Sequence, residues 1–382
     1  MSSNVLTTLR LLVWLMATAV LLNAQQVGGS GSKGELLYVL DTDHQDLDRK
    51  AQVLVVDPQR KAVIKSYRAG YHPDLVLSQD GKRLYLSYDV IQPDAMTIGQ
   101  LDVIDTVAGK TVASVSNPDR LYDTLDDLVH SMAFSADGGL LYVARVKDLG
   151  DAEVAYGIAV FDTQTNKFLP DLISLPLCVN GILMPSDGGR TLSVVCRGSE
   201  DVRVIQFDQK GVPLTRIPTS IPLPRHGNQN VEIATSFFSD SNDLTVVYSD
   251  GSYFQVSLQT RKFLQQGVMA LSPPLKAGST FFGPYITPVW DGKVFLVVTE
   301  SELYRGSGLA SAVVVLNVKT LAQESFIKPG ALFSNLAVGD DGSVFLVEPS
   351  SSIIDLLATP NGVGASKISG IGISPTLIVV SH

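Results

Sequence analysis

Tryptophan and cysteine each occur only twice in this sequence, and histidine five times. These scarcities exclude chemistry. Trp14 lies in an apolar N-terminal run, which leaves Trp290 as the only other tryptophan, so no quinone cross-linked from two tryptophans can form within the chain beyond that run. A multi-histidine metal site would need long-range convergence, because the histidines are scattered. There is no Gly-x-Ser-x-Gly nucleophile motif, no His-Glu-x-x-His, no glycine-rich phosphate loop and no Cys-x-x-Cys-His. Basic residues are also in deficit: 29 Lys and Arg against 38 Asp and Glu give a net charge of -9, which argues against nucleic acid as a partner. The longest apolar run, Leu11 to Leu22, is too short to span a bilayer comfortably. Placed after Arg10 and before Leu22-Asn23-Ala24, it reads as an export signal over residues 1–24, with an uncleaved anchor as the alternative. Residues 25–34, rich in Gly and Ser, read as a linker. The expectation is a periplasmic or secreted protein with no membrane span in its mature chain.

What the chain has in quantity is one kind of hairpin. Ser78 to Asp89, SQDGKRLYLSYD, joins an Asp-Gly turn to a strand of alternating apolar and polar residues. Relatives begin at Ser135, Pro185, Val289 and Gly339. Their turn aspartates, Asp80, Asp137, Asp187, Asp291 and Asp341, stand at intervals of 57, 50, 104 and 50. The interval of 104 covers two periods, and the segment from Ser239 supplies the absent member with Ser241-Asn242 at its turn. A second form of hairpin follows each gap, starting at Val53, Leu101, Ile158, Val202, Tyr253, Ala312 and Ile353. Strand signals with a period near fifty predict a propeller of four-stranded blades. Seven outer hairpins face six inner ones, and the termini resolve the difference. Glu35 to Asp41 reads as a second strand without its first, and Ile373 to Val380 as a first without its second. The prediction is an all-β fold: one seven-bladed β-propeller over residues 35–382, closed by joining the C-terminal strand to the N-terminal blade.

Cys178 and Cys196 each lie nine residues from Asp187. Equal offsets from a hairpin turn put residues opposite one another in an antiparallel ladder, close to disulfide geometry. In an exported protein that pair is expected to be oxidised; two buried free thiols are the alternative.

Propeller topology sorts the connections by face. Turns within hairpins are tight, whereas the other face holds the long segments: 41–50, 89–99, 146–156 and 300–309, with the blade connections 118–129, 218–230 and 268–284. Long loops on a rigid scaffold concentrate binding, so the site is expected over the central channel on that face. Residues just before the innermost strands ring its mouth: His72, His130, Asn180, Asn230, Tyr285, Ser334 and Asn335. With His44 and Phe282 they are candidate ligand contacts, although polar residues at strand starts also satisfy turns and backbone groups. Acidic side chains, Asp89 and Glu300 among them, predominate on this face and would attract a cationic ligand such as a small amine. Asp41 to Asp48, DTDHQDLD, lacks the glycine and final glutamate of a calcium loop and reads as an acidic surface segment. No catalytic residue and no metal site is assigned.

Several stretches resemble the heavy chain of periplasmic amine dehydrogenases that depend on tryptophan tryptophylquinone, and more loosely other YVTN-type propellers. YVLDTDH from Tyr38 resembles that family's first strand with its Asp-x-x-His, placing Asp41 and His44 on the motif. Cys178 and Cys196, with CRGS and VIQFDQKG, resemble the segment that carries the heavy-chain disulfide. The resemblance implies a seven-bladed, non-catalytic subunit that gives scaffold and substrate path for oxidative deamination of a primary amine. Its quinone cofactor would sit on a separate small, cysteine-rich light chain. Two departures stand out: only about ten residues separate the expected cleavage point from the first strand where the family has an arm, and Ala277 to Pro288 holds no tryptophan. The rival expectation is a stand-alone secreted propeller that binds a ligand or a protein without redox chemistry. A third is a hydrolase or lyase with a metal or histidine site in the channel.

Overall fold

The computed structural model describes residues 34–42, 51–92, 97–117, 120–121, 132–150, 153–170, 173–176, 178, 181–186, 191–208, 212–215, 218–224, 231–240, 242–272, 274, 279–282, 287–299, 310–349, 352–357 and 366–381. At 97, 120–121, 146–150, 153–155 and 282 it describes the backbone alone.

The strand Lys293–Thr299 shows why the chain folds as it does. Its run VFLVVT is buried throughout, because a strand covered on both faces needs no polar alternation. Val294, Leu296 and Val298 enter one hydrophobic core, whereas Phe295 and Val297 enter the next. Each sheet therefore cements two neighbours. Seven such cores exist, one between each pair of adjacent sheets, and the cycle closes.

The seven sheets are the predicted blades. From the channel outward, blade one is Pro375–Val380, Leu37–Asp41, Gln52–Asp57 and Ala62–Arg68. Blade two is Tyr71–Leu77, Arg83–Ile91, Thr97–Asp105 and Lys110–Asn117. Blade three has Met132–Phe134 and Arg120–Leu121 beside Leu140–Gly150, then Glu153–Asp162, flanked by Lys167–Phe168 and Ile173–Ser174. Blade four is Gly181–Pro185, Thr191–Cys196, Asp201–Gln206 and Thr219–Pro222, and blade five is Ile233–Asp240, Asp243–Tyr248, Ser252–Ser257 and Lys262–Val268. In blade six Thr280–Phe282 and Val289–Trp290 both pair with Lys293–Thr299, followed by Ala312–Asn317 and Gln323–Ile327. Blade seven is Asn335–Val338, Val344–Glu348, Ile353–Leu357 and Ser366–Ser369. Closure is as predicted: Leu37 pairs with Val380 and Val39 with Ile378. No helix among the described residues is long and apolar enough to cross a membrane.

The turns repeat in atomic detail. In blade two Ser78 Oγ donates to Asp80 Oδ1 (2.7 Å) and accepts from the Arg83 amide (2.9 Å), with Gly81 at φ 66°. Fifty-seven residues on, Ser135, Asp137 and Gly138 repeat the arrangement, with φ 68° at the glycine. The outer turns share another design. Asp57, Asp162 and Asn317 each accept two following backbone amides, and the fourth residue after them is left-handed: Lys61, Asn166 and Leu321.

Two expectations are corrected. The Cys178–Cys196 disulfide is present, with a Cα–Cα distance of 4.9 Å, but the residue opposite Cys196 in the ladder is Gly181. Cys178 precedes the strand, and Gly181 makes room: a Cβ there would lie 2.7 Å from Val194 Cγ1 and 3.2 Å from Cys178 Sγ. The segments 89–99 and 146–156 are not simply loops either. Pairing continues to Ile91–Thr97 in blade two and to Gly150–Glu153 in blade three, so these connections project as hairpin arms. Charge along them read as loop; the paired backbone needs only hydrogen bonds across, and tolerates charge where a strand leaves the core.

Candidate functional site

On the long-loop face, blades seven, one and two form one described arc of the channel mouth. Its base is the ring closure. Asp41, ending the second strand of blade one, is buried, and its carboxylate accepts the amides of Ile373 (2.9 Å) and Ser374 (2.7 Å) and the Gln52 Nε2 (3.0 Å). Thr42 donates its amide to Ser374 O (3.0 Å) and its hydroxyl to Thr376 Oγ1 (3.3 Å). In blade seven Ser334 Oγ lies 3.4 Å from Thr376 O and 3.5 Å from Pro375 O. Asp41 and Ser334 thus hold the ring together.

His72 is placed differently. The ladder of blade two slips between Tyr71 and Asp74, so His72 and Pro73 bulge from the innermost strand. His72 sits at φ 46°, left-handed backbone that residues other than glycine seldom adopt, and before a proline this is rarer still. Such strain concentrates at working sites. The imidazole is half-exposed, and its Nδ1 is 3.5 Å from Oδ2 of Asp89, whose side chain is 3 % exposed. Gly70 permits this approach, because a Cβ there would strike the carbonyl oxygen of Asp89 and the ring of Tyr88. Behind the pair, Tyr88 donates to Asp102 Oδ2 (2.9 Å); burial first, and the Asp102 charge next, push its phenol well above the usual range, so it remains a donor.

Asn335 begins the innermost strand of blade seven and is 1 % exposed. Its Oδ1 accepts the Leu336 amide (2.7 Å), and its Nδ2 has no hydrogen-bond partner among the described residues. Asp74, at the start of the corresponding ladder in blade two, accepts the Leu75 amide in the same way (2.8 Å). A buried amide nitrogen without an acceptor carries a penalty that a ligand oxygen would relieve. Asp41, Asp74 and Asp89 put three buried carboxylates around this arc.

Across the channel, Arg197 follows Cys196 and donates to Ala234 O of blade five (2.9 Å), and Thr235 is hydrogen-bonded to Thr287 of blade six. Phe282 ends a strand that pairs with Val297, its backbone alone being described. His44, His130, Asn180, Asn230 and Tyr285 lie outside the described residues. Of the predicted ring, His72, Ser334 and Asn335 are therefore described, on one arc. Asp89 was read as a surface carboxylate, and its role behind His72 had no sequence signal beyond its place at the end of a second strand. Among the described residues no three His, Cys, Asp or Glu side chains are grouped to hold a metal ion. Trp290 lies at an inner-hairpin turn on the tight-turn face, donating to Asp340 O (3.0 Å).

Neither family models nor curated proteins give a match to this sequence. Solved structures do. The fold is that of known bacterial propellers. A functionally unknown protein from Desulfotomaculum acetoxidans is similar at TM-score 0.62 and 16% identity, over 91% of this chain and 99% of that one. The periplasmic gluconolactonase PpgL of Pseudomonas aeruginosa is similar at 0.59 and 14%, over 91% and 99%. AztD of Citrobacter koseri follows at 0.53 and 16%, over 91% and 97%. Identities this low establish the architecture and leave function to the site.

Proposed function

We propose that this chain is an exported ligand-binding propeller whose site is the channel mouth, and that its ligand is a small amine or another cation. The observation that carries the reading is His72, strained and half-exposed over the buried Asp89 carboxylate within an arc of acidic groups. With Asp89 accepting the Nδ1 proton, Nε2 keeps a lone pair that can receive an ammonium N–H. The specific form implied by the sequence resemblance is a non-catalytic subunit that guides a primary amine to a quinone on a small, cysteine-rich light chain. In that form the quinone supplies the oxidation, and this chain binds and orients the amine.

One observation favours a second reading. A histidine oriented by a carboxylate is also the arrangement of a general base, and the fold is shared with a gluconolactonase. There His72 would take a proton from water as it attacks a lactone carbonyl, and return it to the departing ring oxygen.

Calorimetric titration of the full mature chain with benzylamine, beside pH-stat assays with gluconolactone, separates these readings. Amine binding weakened about tenfold in His72→Ala supports the proposed site. A quinone-absorbing small chain co-purifying from the native host supports the dehydrogenase form. Lactone turnover that depends on His72, without amine binding, would replace the proposal with the hydrolase.

A further inference from the structure

Six Asp-Gly pairs punctuate the chain. Five are described, Asp80-Gly81, Asp137-Gly138, Asp250-Gly251, Asp291-Gly292 and Asp341-Gly342, while Asp187-Gly188 lies outside the described residues. The dipeptide carries a latent reaction, because a glycine amide, unshielded by any Cβ, can attack the carboxyl that precedes it. Ring closure needs two freedoms. The carboxyl must swing over the following nitrogen, and that nitrogen must give up any hydrogen bond it donates.

Four of the five turns withhold both. Gly81 donates its amide to Ser78 O (2.8 Å), Gly138 to Ser135 O (2.8 Å), Gly251 to Tyr248 O (3.0 Å) and Gly342 to Gly339 O (3.0 Å). The carboxylates are tied as well. Asp80 Oδ1 accepts Ser78 Oγ (2.7 Å) and the Lys82 amide (3.1 Å), and Asp137 Oδ1 accepts Ser135 Oγ (2.6 Å) and the Gly139 amide (3.0 Å). Asp250 Oδ1 accepts the amide (2.9 Å) and hydroxyl (2.6 Å) of Ser252, and Asp341 Oδ1 accepts the Ser343 amide (2.9 Å). Gly251 and Gly342 are also buried, against the rings of Phe281 and Trp290.

Asp291-Gly292 differs because its hairpin is shorter. Trp290 pairs directly with Lys293, so Asp291 and Gly292 make the whole turn, both left-handed at φ 48° and 69°. Among the described residues neither the Gly292 amide nor the Asp291 carboxylate has a hydrogen bond or ion pair. Both residues are exposed, and a Cβ at Gly292 would meet nothing within 4 Å.

We propose that Asp291-Gly292 is the turn at which the folded chain converts aspartate to isoaspartate. The Gly292 nitrogen attacks Cγ of the protonated Asp291 carboxyl. The C–N bond forms, the amide proton and the carboxyl hydroxyl leave as water, and a cyclic succinimide remains. Water then adds to one of its two carbonyls. Addition at Cγ restores aspartate; addition at the backbone carbonyl routes the chain through Cγ, leaves a free α-carboxylate and changes no mass overall. The main chain thereby gains a methylene in a two-residue turn. Trp290 beside it donates to Asp340 O (3.0 Å) and covers Gly342, so the change reaches the seam between blades six and seven.

Peptide mapping of the full mature chain after prolonged incubation at neutral pH tests the proposal, with isoaspartate located by electron-transfer fragmentation. Isoaspartate is expected at Asp291 about tenfold faster than at Asp80, Asp137, Asp250 or Asp341, since a tethering hydrogen bond of ordinary strength is equivalent to about that factor in rate. In urea, where every turn is released, the five rates should converge. Asp291→Asn should react through the same ring, with ammonia leaving in place of water. A shifted Trp290 emission in the modified fraction is expected, and an unaltered one would overturn the reach into the seam. Isomerisation at Asp291 no faster than at the tethered turns overturns the proposal. So does a lead that persists in urea, because flanking sequence and not the fold would then set the rate.

Discussion

Asp355 shows how a single buried side chain sets a pH response. It lies in blade seven, 3 % exposed, with Lys367 Nζ at 3.2 Å from its Oδ1 and 3.1 Å from Glu348 Oε1. Burial first, and the hydrogen bond with Glu348 next, push its carboxyl up to about 6. The folded value stands above the ordinary 3.8, so between roughly pH 4 and 6 the unfolded chain releases a proton that the folded chain retains. Stability should therefore fall as pH rises through that window, by at most about 1.4 kcal/mol per pH unit. Asp355→Asn should remove this decline, which urea denaturation at a series of pH values would measure; an unchanged slope would assign the effect elsewhere. The sequence offered no warning of this group, because Asp355 occupies a strand position that pattern alone gives to solvent. His72 was legible as a residue before an innermost strand. Its bulge and its reliance on Asp89 were not, since both depend on a register slip that leaves no mark in composition.

At the scale of the element, the hairpin repeat was the most readable feature, because an Asp-Gly turn has few conformations open to it and its glycine takes the left-handed backbone at Gly81, Gly138 and Gly342. Gly138 and Gly342 stand at equivalent turns with φ 68° and 80°, yet their surroundings differ. A Cβ at Gly138 meets nothing within 4 Å, whereas one at Gly342 lies 2.6 Å from the Trp290 ring. Gly138→Ala should cost about 1–2 kcal/mol for the left-handed backbone alone. Gly342→Ala should cost about 1–3 kcal/mol more for the clash. Equal losses in urea denaturation would mean that Trp290 moves aside freely. Arm lengths in blades two and three escaped the sequence for the opposite reason. A strand beyond the core is held by its partner's backbone, and side-chain pattern has no part in setting where it stops.

For the whole molecule the decisive contact is closure, which was legible because an odd count of hairpins left a half at each terminus. The clasp that secures it was not: Asp41 matched the first-strand motif of the resembled family, and the structure gives it three hydrogen bonds, two of them across the seam. Asp41→Ala removes a buried carboxylate and leaves the part-buried amides of Ile373 and Ser374 without their acceptor; it should cost about 2–3 kcal/mol, against about 1 kcal/mol for Asp57→Ala in an exposed turn. A smaller loss at Asp41, read by the same denaturation, would show that water replaces its carboxylate.

Closure also fixes an order of events during synthesis. Leu37 is made long before its ladder partner, Val380. Until that partner emerges, the innermost place in blade one is vacant, and the cores on either side of it are incomplete. Six blades can assemble behind the growing end, but the ring is locked only when translation has delivered Pro375–Val380. A prematurely terminated chain thus carries a bare strand edge at its oldest blade, which marks it for chaperones and proteases.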